Sequence, residues 1–172
     1  MGLQKLNTSN NPLSDLFEHI HLLIDKARIN VSVTVNTELV MLYWNIGNSI
    51  NENVLQNKRA GYGEEIMTSL SQQLLQKYGK GWSKQQLLHC LRSAETFTEE
   101  QIIYAVRRQL SWTHLRSIMY LNDEQKRHFY LEMAAHERWS SRQLKERIDS
   151  MLYERTALSK KPAKLIEKEL QV

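Results

Sequence analysis

The amino-acid sequence predicts an all-α fold, and three observations support this prediction. Apolar residues recur at helical spacing along most of the chain, and only two prolines and six glycines are present to form turns. One pattern that begins helices also occurs three times, starting at Trp82, Phe97 and Trp139. Each instance has an apolar residue, a serine or threonine N-cap, a glutamine three residues after the cap and then another apolar residue.

The composition indicates an ordinary globular protein. A chain of 172 residues forms one domain, or a domain with an appendage, and can bury a core without covalent staples. The single cysteine, Cys90, excludes an internal disulfide and fits a reducing cytoplasm; on a leucine-rich helix we expect it to be a small core residue. No run approaches the roughly 18 apolar residues of a membrane span, and the N-terminus lacks a signal-peptide core. We therefore expect a cytoplasmic protein without membrane contact.

The first helix is expected to open at Pro12. Residues 29–35 alternate as a strand would and are rich in β-branched side chains, but no second strand candidate lies nearby to complete a ladder. The sequence therefore predicts that helix continues through this stretch, intact or broken. Gly47 is expected to mark a close approach between helices. The expected organisation is a flexible leader at 1–12, a helical domain at 13–155 and a linker with a short helical pattern at 156–172.

The starting positions of the later helices are predicted from the residues at their N-termini. A loop at 58–63 precedes a helix that Glu64 and Glu65 open, because acidic side chains favour the positive end of the helix dipole. After Phe97, helices are expected at 99–109, 112–121, 123–137 and 141–155.

Residues 70–97 predict a helix, a glycine-framed turn and a second helix. Gly79 and Gly81 suit a helix C-cap and a tight reversal. Ser83 is the expected N-cap of the second helix, and Trp82 is placed to pack on the apolar residue that follows. This is a helix-turn-helix candidate. A plain helix pair, which needs the same glycines and caps, is the alternative.

The second helix of this pair is expected to divide into an apolar and a polar face. Leu87, Leu88 and Leu91 are expected to face inward. The outer positions and the preceding turn carry side chains that can bond to phosphates or base edges. The candidate DNA-binding residues here are Lys77, Lys80, Lys84, Gln85, Gln86, His89 and Arg92. A second candidate surface contains Ser111, Trp112, His114 and Arg116.

The chain has a net charge of +4, and the positive surplus lies in its second half. The arginines of this surplus include Arg107, Arg108 and Arg138. A mild basic bias favours nucleic acid over acidic partners. Solvated helix faces with interleaved glutamates explain the same composition.

No catalytic or metal-binding constellation is visible. HxxxH and HExxH spacings are absent, as is a Walker-type phosphate loop. The triplet Glu124-Gln125-Lys126 has the acid-x-lysine spacing that PD-(D/E)xK nucleases place on a strand to bind a divalent metal. Here it opens a predicted helix, where charge complementarity explains it. We therefore predict no catalytic residue, no metal and no cofactor in this chain.

Several stretches taken together resemble a known family. They are Leu42–Gly47, Tyr78–Ser83, Gln109–His114, Phe129–Tyr130, Trp139–Leu144 and Ile148–Pro162. In this order they resemble the N-terminal domain of the YhcG family, bacterial PD-(D/E)xK nucleases of the DUF type. The resemblance implies an all-helical domain that binds DNA and is followed by a nuclease domain. This chain stops at Val172, where the nuclease domain is expected to begin, so no catalytic residue is carried over.

Two interpretations of function follow. The first is a DNA-binding module that positions a metal-dependent nuclease. The second is a helical protein-interaction or dimerisation module without direct DNA contact, which either forms a homo-oligomer or holds another protein. Exposed lysine and arginine around residues 77–92 would favour the first, and an exposed apolar stripe on the first helices would favour the second. Neither needs a small-molecule cofactor, and magnesium is expected only for the nuclease domain.

Overall fold

The computed structural model describes residues 12–56 and 62–159. These residues form α-helices and no strand, so the predicted all-α class is confirmed. The helices are α1 (Pro12–Gln56), α2 (Tyr62–Tyr78), α3 (Lys84–Thr96), α4 (Glu99–Arg107), α5 (Trp112–Met119), α6 (Glu124–His136), α7 (Ser141–Asp149) and α8 (Leu152–Leu158). None of the helices described is both long enough and apolar enough to cross a membrane.

The chain divides into two compact units, residues 1–35 and residues 36–172. In the first unit, the described residues all belong to α1, which runs without a break through residues 29–35. The Thr34 hydroxyl donates to the Asn30 carbonyl at 2.9 Å, a bond that threonine makes inside helices. The prediction of helix in this strand-like stretch is confirmed.

The second unit has one large core, to which the rest of α1 and the later helices contribute. Its fully buried members include Val40, Ile102, Ile118, Leu144 and Leu152. The Trp44 indole donates to the Phe97 carbonyl at 3.0 Å. This bond gives a buried indole its partner and fixes α1 against the end of α3.

A smaller cluster lies around the predicted helix pair. Ile50, Met67 and Leu87 are buried, and Trp82 packs against them. The Ser71 hydroxyl donates to the Trp82 carbonyl at 2.9 Å, which fixes the turn to α2. Trp82 and Leu87 therefore share one cluster, as the predicted hydrophobic staple requires.

The three repeated helix starts are N-caps, as predicted. Thr98 and Ser140 each form a full capping box, in which the glutamine three residues later bonds back to the backbone of the cap. Ser83 accepts the Gln86 N–H at 3.2 Å, but the Gln86 side chain lies 3.8 Å from the Cys90 sulfur instead of returning to the cap. Each cap typically stabilises its helix by about 1 kcal/mol.

The prediction of a single helix over residues 141–155 is wrong. The chain forms α7 and α8, with Met151 in the left-handed region (φ 56°) between them. The hydroxyl of buried Tyr130 donates to the Arg147 carbonyl at 3.1 Å and accepts the Tyr153 N–H at 3.2 Å. Because one hydroxyl satisfies backbone groups on both sides of the break, the chain can change direction there without leaving them unpaired.

Other predicted boundaries move by smaller amounts. The ends of α4, α5 and α6 differ from the predicted ends by one or two residues. Gly63, placed in a loop, lies in α2, whose first turn holds Glu64 and Glu65 as predicted. α8 continues to Leu158, inside the stretch predicted as linker. The leader at 1–11, the loop residues 57–61 and the linker residues 160–172 lie outside the described residues.

Candidate nucleic-acid interface

The helix pair predicted within residues 70–97 is present as α2 and α3. Between them, Gly79 (φ 79°) and Gly81 (φ 119°) adopt backbone angles that side chains with a Cβ rarely adopt. The Gly79 N–H donates to the Leu75 carbonyl at 3.0 Å, which closes the last turn of α2. α3 packs on α2, so the pair has the connectivity of a helix-turn-helix.

The face that α3 buries differs from the predicted one. Leu87 is fully buried, as expected, but Leu88 is 38% exposed and Leu91 is half-buried. His89, expected to face outward, is only 8% exposed. The reason is that α3 packs on both α2 and α5. A helix between two neighbours buries more of its circumference than the stripe of leucines.

His89 forms the contact between α3 and the end of α5. Its Nδ1 lies 2.6 Å from the Tyr120 hydroxyl oxygen, and the two rings meet edge to face with centroids 5.7 Å apart. Burial, assisted by the charge of Arg116, lowers the pKa of His89, which favours the neutral imidazole. His89 therefore packs between helices and is not displayed on the surface.

Two cations of α3 have acidic neighbours. The Lys84 ammonium lies 2.8 Å from the Glu64 carboxylate, and this hydrogen bond and charge lower the pKa of Glu64. The Arg92 guanidinium lies 3.9 Å from Glu95 on the next turn. Both pairs are solvent-accessible, and pairs of this kind exchange partners at little cost.

The other polar members of the candidate set vary in exposure. Lys77, Lys80, Gln85 and Arg116 are exposed, whereas Gln86 is half-buried. The outer surface of α3 thus presents amide and cationic groups together with an apolar leucine.

His114 holds the start of α5 against the turn before α7. Its Nδ1 accepts the Ser111 N–H at 3.1 Å and lies 2.7 Å from the Ser111 hydroxyl oxygen. Its Nε2 therefore carries the proton and donates to the Trp139 carbonyl at 2.8 Å. The side chain is 8% exposed. Burial lowers the pKa of His114 and outweighs the opposing effect of the Trp139 carbonyl. His114 is thus a buried structural residue.

The buried His114 predicts that the protein loses stability as the pH falls. Its folded-state pKa lies below the unfolded value of about 6.5, so the unfolded chain takes up a proton first. The contribution of His114 is fully present above about pH 6.5 and is lost as the pH falls toward the folded-state pKa. His89 acts in the same direction. We expect urea titrations to give a smaller free energy of unfolding at about pH 5.5 than at about pH 7.5.

Two variants isolate the part that His114 plays in this pH dependence. His114→Gln removes the titrating group, so the decrease in stability on acidification should become smaller, although the variant is less stable at every pH. Thr98→Ala, which removes the N-cap of α4 and no titrating group, should be less stable than wild type but keep the wild-type pH dependence. Equal pH dependence in wild type and His114→Gln would contradict the assignment.

Three arginines line a single cavity. From the sequence, they stood out only as part of the general basic surplus. Arg107, Arg108 and Arg138 are exposed and border a cavity of about 340 Å³, which we call the arginine cavity. The Arg108 guanidinium lies over the Tyr104 ring, 5.6 Å from its centroid. Within the described residues, neither Arg107 nor Arg138 has an ion-pair partner. The described lining includes no acidic side chain.

Two helix ends with the same backbone geometry build the arginine cavity. Gln109 after α4 and Arg138 after α6 both have left-handed φ angles, 62° and 53°. In each case the next residue, Leu110 or Trp139, donates its N–H to the carbonyl five residues earlier, at 3.0 and 3.1 Å. These are Schellman-type ends made without glycine. The His114 bond to the Trp139 carbonyl ties the second end to α5.

A second cavity is apolar. It has a volume of about 740 Å³ and is bordered by residues of α1 and α2 that include Ile46, Ile50, Leu70 and Leu74. Tyr78 at its edge is 60% exposed. Most of this lining is apolar, although it includes Asn45 and Ser49, so it suits an apolar segment better than a phosphate group.

In the part of the chain that the structure describes, no three His, Cys, Asp or Glu side chains group together to hold a metal. The Glu124-Gln125-Lys126 triplet opens α6, where the Asp123 carboxylate caps the helix by accepting the Lys126 N–H at 2.9 Å, and the Lys126 ammonium pairs with Glu154. Burial raises the pKa of Cys90 to about 12, which suits a core residue and not a nucleophile.

The fold and this surface define an all-α module with a helix-turn-helix-like pair and an arginine-lined cavity. The family model of the DUF1016 N-terminal domain matches residues 19–155, so the chain belongs to that family. This agrees with its resemblance to the N-terminal domain of the YhcG family. The chain matches no curated protein and no solved structure.

Proposed function

We propose that this chain is a DNA-binding module that positions a metal-dependent nuclease domain of the YhcG type. The observation that carries the proposal is the arginine cavity, where Arg107, Arg108 and Arg138 come together without an acidic side chain in the described lining. Membership of the DUF1016 N-terminal domain family supports it, through the resemblance to nucleases that carry such a domain.

The arginine cavity has the chemistry of a phosphate contact. A guanidinium group presents a planar fork of donors that matches two phosphate oxygens, and it stays charged at every physiological pH. Arg107 and Arg138 have no ion-pair partner among the described residues, so a phosphate would not have to displace a carboxylate. Contacts of this kind hold the DNA backbone without distinguishing base sequence.

The exposed and half-exposed members of the α2–α3 set would supply the remaining contacts. The members that we propose to contact DNA are Lys77, Lys80, Lys84, Gln85, Gln86 and Arg92, and Arg116 of α5 would join them. Gln85 and Arg92 are long enough to reach base edges, whereas the lysines suit phosphates. His89 and His114 are left out because both side chains are buried.

Replacing Arg107 and Arg138 together by glutamine should weaken binding to all DNA sequences alike. Each lost phosphate contact reduces the slope of log affinity against log salt concentration by about 1, so the double variant should reduce it by about 2. The measurement is fluorescence anisotropy with duplex, branched and single-stranded DNA at two salt concentrations.

Two further double variants show which surface is responsible for DNA binding. Arg142→Gln with Lys145→Gln removes the same charge from exposed positions of α7 and should have the smaller effect. Lys80→Ala with Arg92→Ala tests the α2–α3 surface, after a check that its melting temperature is unchanged. If the folded arginine-cavity variant keeps wild-type affinity and salt dependence, that cavity binds no phosphate.

A second candidate function, protein interaction without DNA contact, is favoured by a separate observation. Apolar side chains of α1 between residues 17 and 35 are exposed, and an exposed apolar stripe on this helix is typical of an interaction module. Failure of the wild-type chain to bind any of the three DNA forms at low salt would favour this function over DNA binding.

A further inference from the structure

We infer that residues 17–31 of α1 form a self-association surface whose partner is a second copy of this chain, giving a dimer. This surface, the α1 seam, consists of Phe17, Ile20, Ile24, Ala27 and Val31. The intervals between them alternate between three and four residues, which places all five along one side of the helix. The inference goes beyond the proposed DNA contact and does not depend on it.

The α1 seam is open to solvent. Phe17 is 65% exposed, Val31 63%, and Ile20 and Ile24 46% each. The described residues of the first unit form only α1, so among them no second helix packs on the seam. A contiguous exposed apolar surface on a protein usually marks a contact with a partner.

The residue types of this part of α1 contribute little to helix stability by themselves. Residues 29–35, which follow and overlap the seam, are isoleucine, asparagine, valine, serine, valine, threonine and valine. These residue types have weak intrinsic helix propensity, because they lose side-chain freedom in a helix or compete for its backbone bonds. Helices gain most of their stability from packing of an apolar face. A partner on the α1 seam supplies that packing.

The seam suits an identical partner. When apolar residues alternate at intervals of three and four, the side chains of one helix fit between those of a second helix with the same spacing. Two copies of α1 can therefore provide the two surfaces of the interface. Between residues 17 and 35 the two acidic side chains, Glu18 and Asp25, balance the two basic ones, Lys26 and Arg28. Two copies can therefore approach without net repulsion. The small side chain of Ala27 within the seam permits a short distance between helix axes.

The test compares two double variants of the full chain by sedimentation equilibrium. Ile20→Gln with Ile24→Gln changes the α1 seam. Leu22→Gln with Ile29→Gln makes the same kind of change on the opposite side of α1, at residues that are 64% and 62% exposed. The helix propensity of glutamine is at least that of isoleucine and nearly that of leucine. Neither variant therefore weakens the helix greatly.

The wild-type chain should dimerise, and the seam variant should raise the dissociation constant at least ~100-fold. The opposite-side variant should stay within roughly 3-fold of wild type. A wild-type chain that is monomeric up to about 100 µM would overturn the inference. So would a dimer that persists in the seam variant, or equal weakening by both variants. No DNA is present in this experiment, so the inference and the proposed function can fail independently.

Discussion

Replacing Gly47 by alanine is expected to prevent α1 and α3 from packing as they do. A Cβ at this position would lie 1.9 Å from the Cys90 carbonyl oxygen and 2.5 Å from its carbonyl carbon. Both atoms belong to the backbone of a helix, so no side-chain rotation relieves the overlap, and the two helices must separate. This geometry confirms the predicted close approach at Gly47.

The expected loss of stability for Gly47→Ala is about 3 kcal/mol, at the upper end of the usual cost of overpacking. It should appear even though alanine favours helix over glycine by roughly 1 kcal/mol. Against a typical total of about 5–15 kcal/mol, such a loss is large. Urea titration followed by circular dichroism measures it.

The control for Gly47→Ala is Asn45→Ala, at an exposed position two residues earlier on the same helix. That change should alter the free energy of unfolding by no more than about 0.5 kcal/mol. Wild-type stability in Gly47→Ala would show that α1 and α3 do not approach each other this closely.

Replacing Leu87 by alanine should cost about 2–5 kcal/mol, because it leaves a cavity in a packed cluster. Leu87 is fully buried beside Ile50 and Met67, and Trp82 packs on the same cluster. The measurement is again the free energy of unfolding from urea titration.

Leu88→Ala is the matched comparison, since it removes the same atoms from the next position of α3. Leu88 is 38% exposed, so its loss should cost about 1 kcal/mol or less. The sequence placed both leucines inward, and the structure separates them. Equal destabilisation by the two variants would mean that α3 buries a different face.

The helix starts could be predicted from the sequence because capping is local chemistry. A serine or threonine side chain reaches the backbone N–H three residues later whatever the rest of the chain does. Ser83, Thr98 and Ser140 therefore mark helix starts correctly. The glycines of the turn before α3 were identifiable for a similar reason, since their backbone angles strain other residues.

The candidate site was less accessible to sequence reasoning. The polar side chains of α3 were identified as a set, but their exposure depends on which helices lie beside α3. The arginine cavity could not be predicted from the sequence, because its residues come from two helix ends about thirty positions apart. The visible signal was that each end has an apolar residue followed by a serine, at Leu110–Ser111 and Trp139–Ser140. That pattern does not show that the two ends meet.

The sequence by itself determined the all-α class and the capped helix starts, because these follow from spacing and local bonding. The glycine inside α1 predicted a close approach at position 47, but only the tertiary structure decided that the Cys90 backbone is the group that comes close. Only the tertiary structure decided which face of α3 is buried, since a helix between two neighbours has no single apolar side. It also decided the break between α7 and α8, which depends on the hydroxyl of Tyr130 about twenty residues earlier. A backbone carbonyl or N–H accepts any partner within reach, and only the fold determines which partner is there.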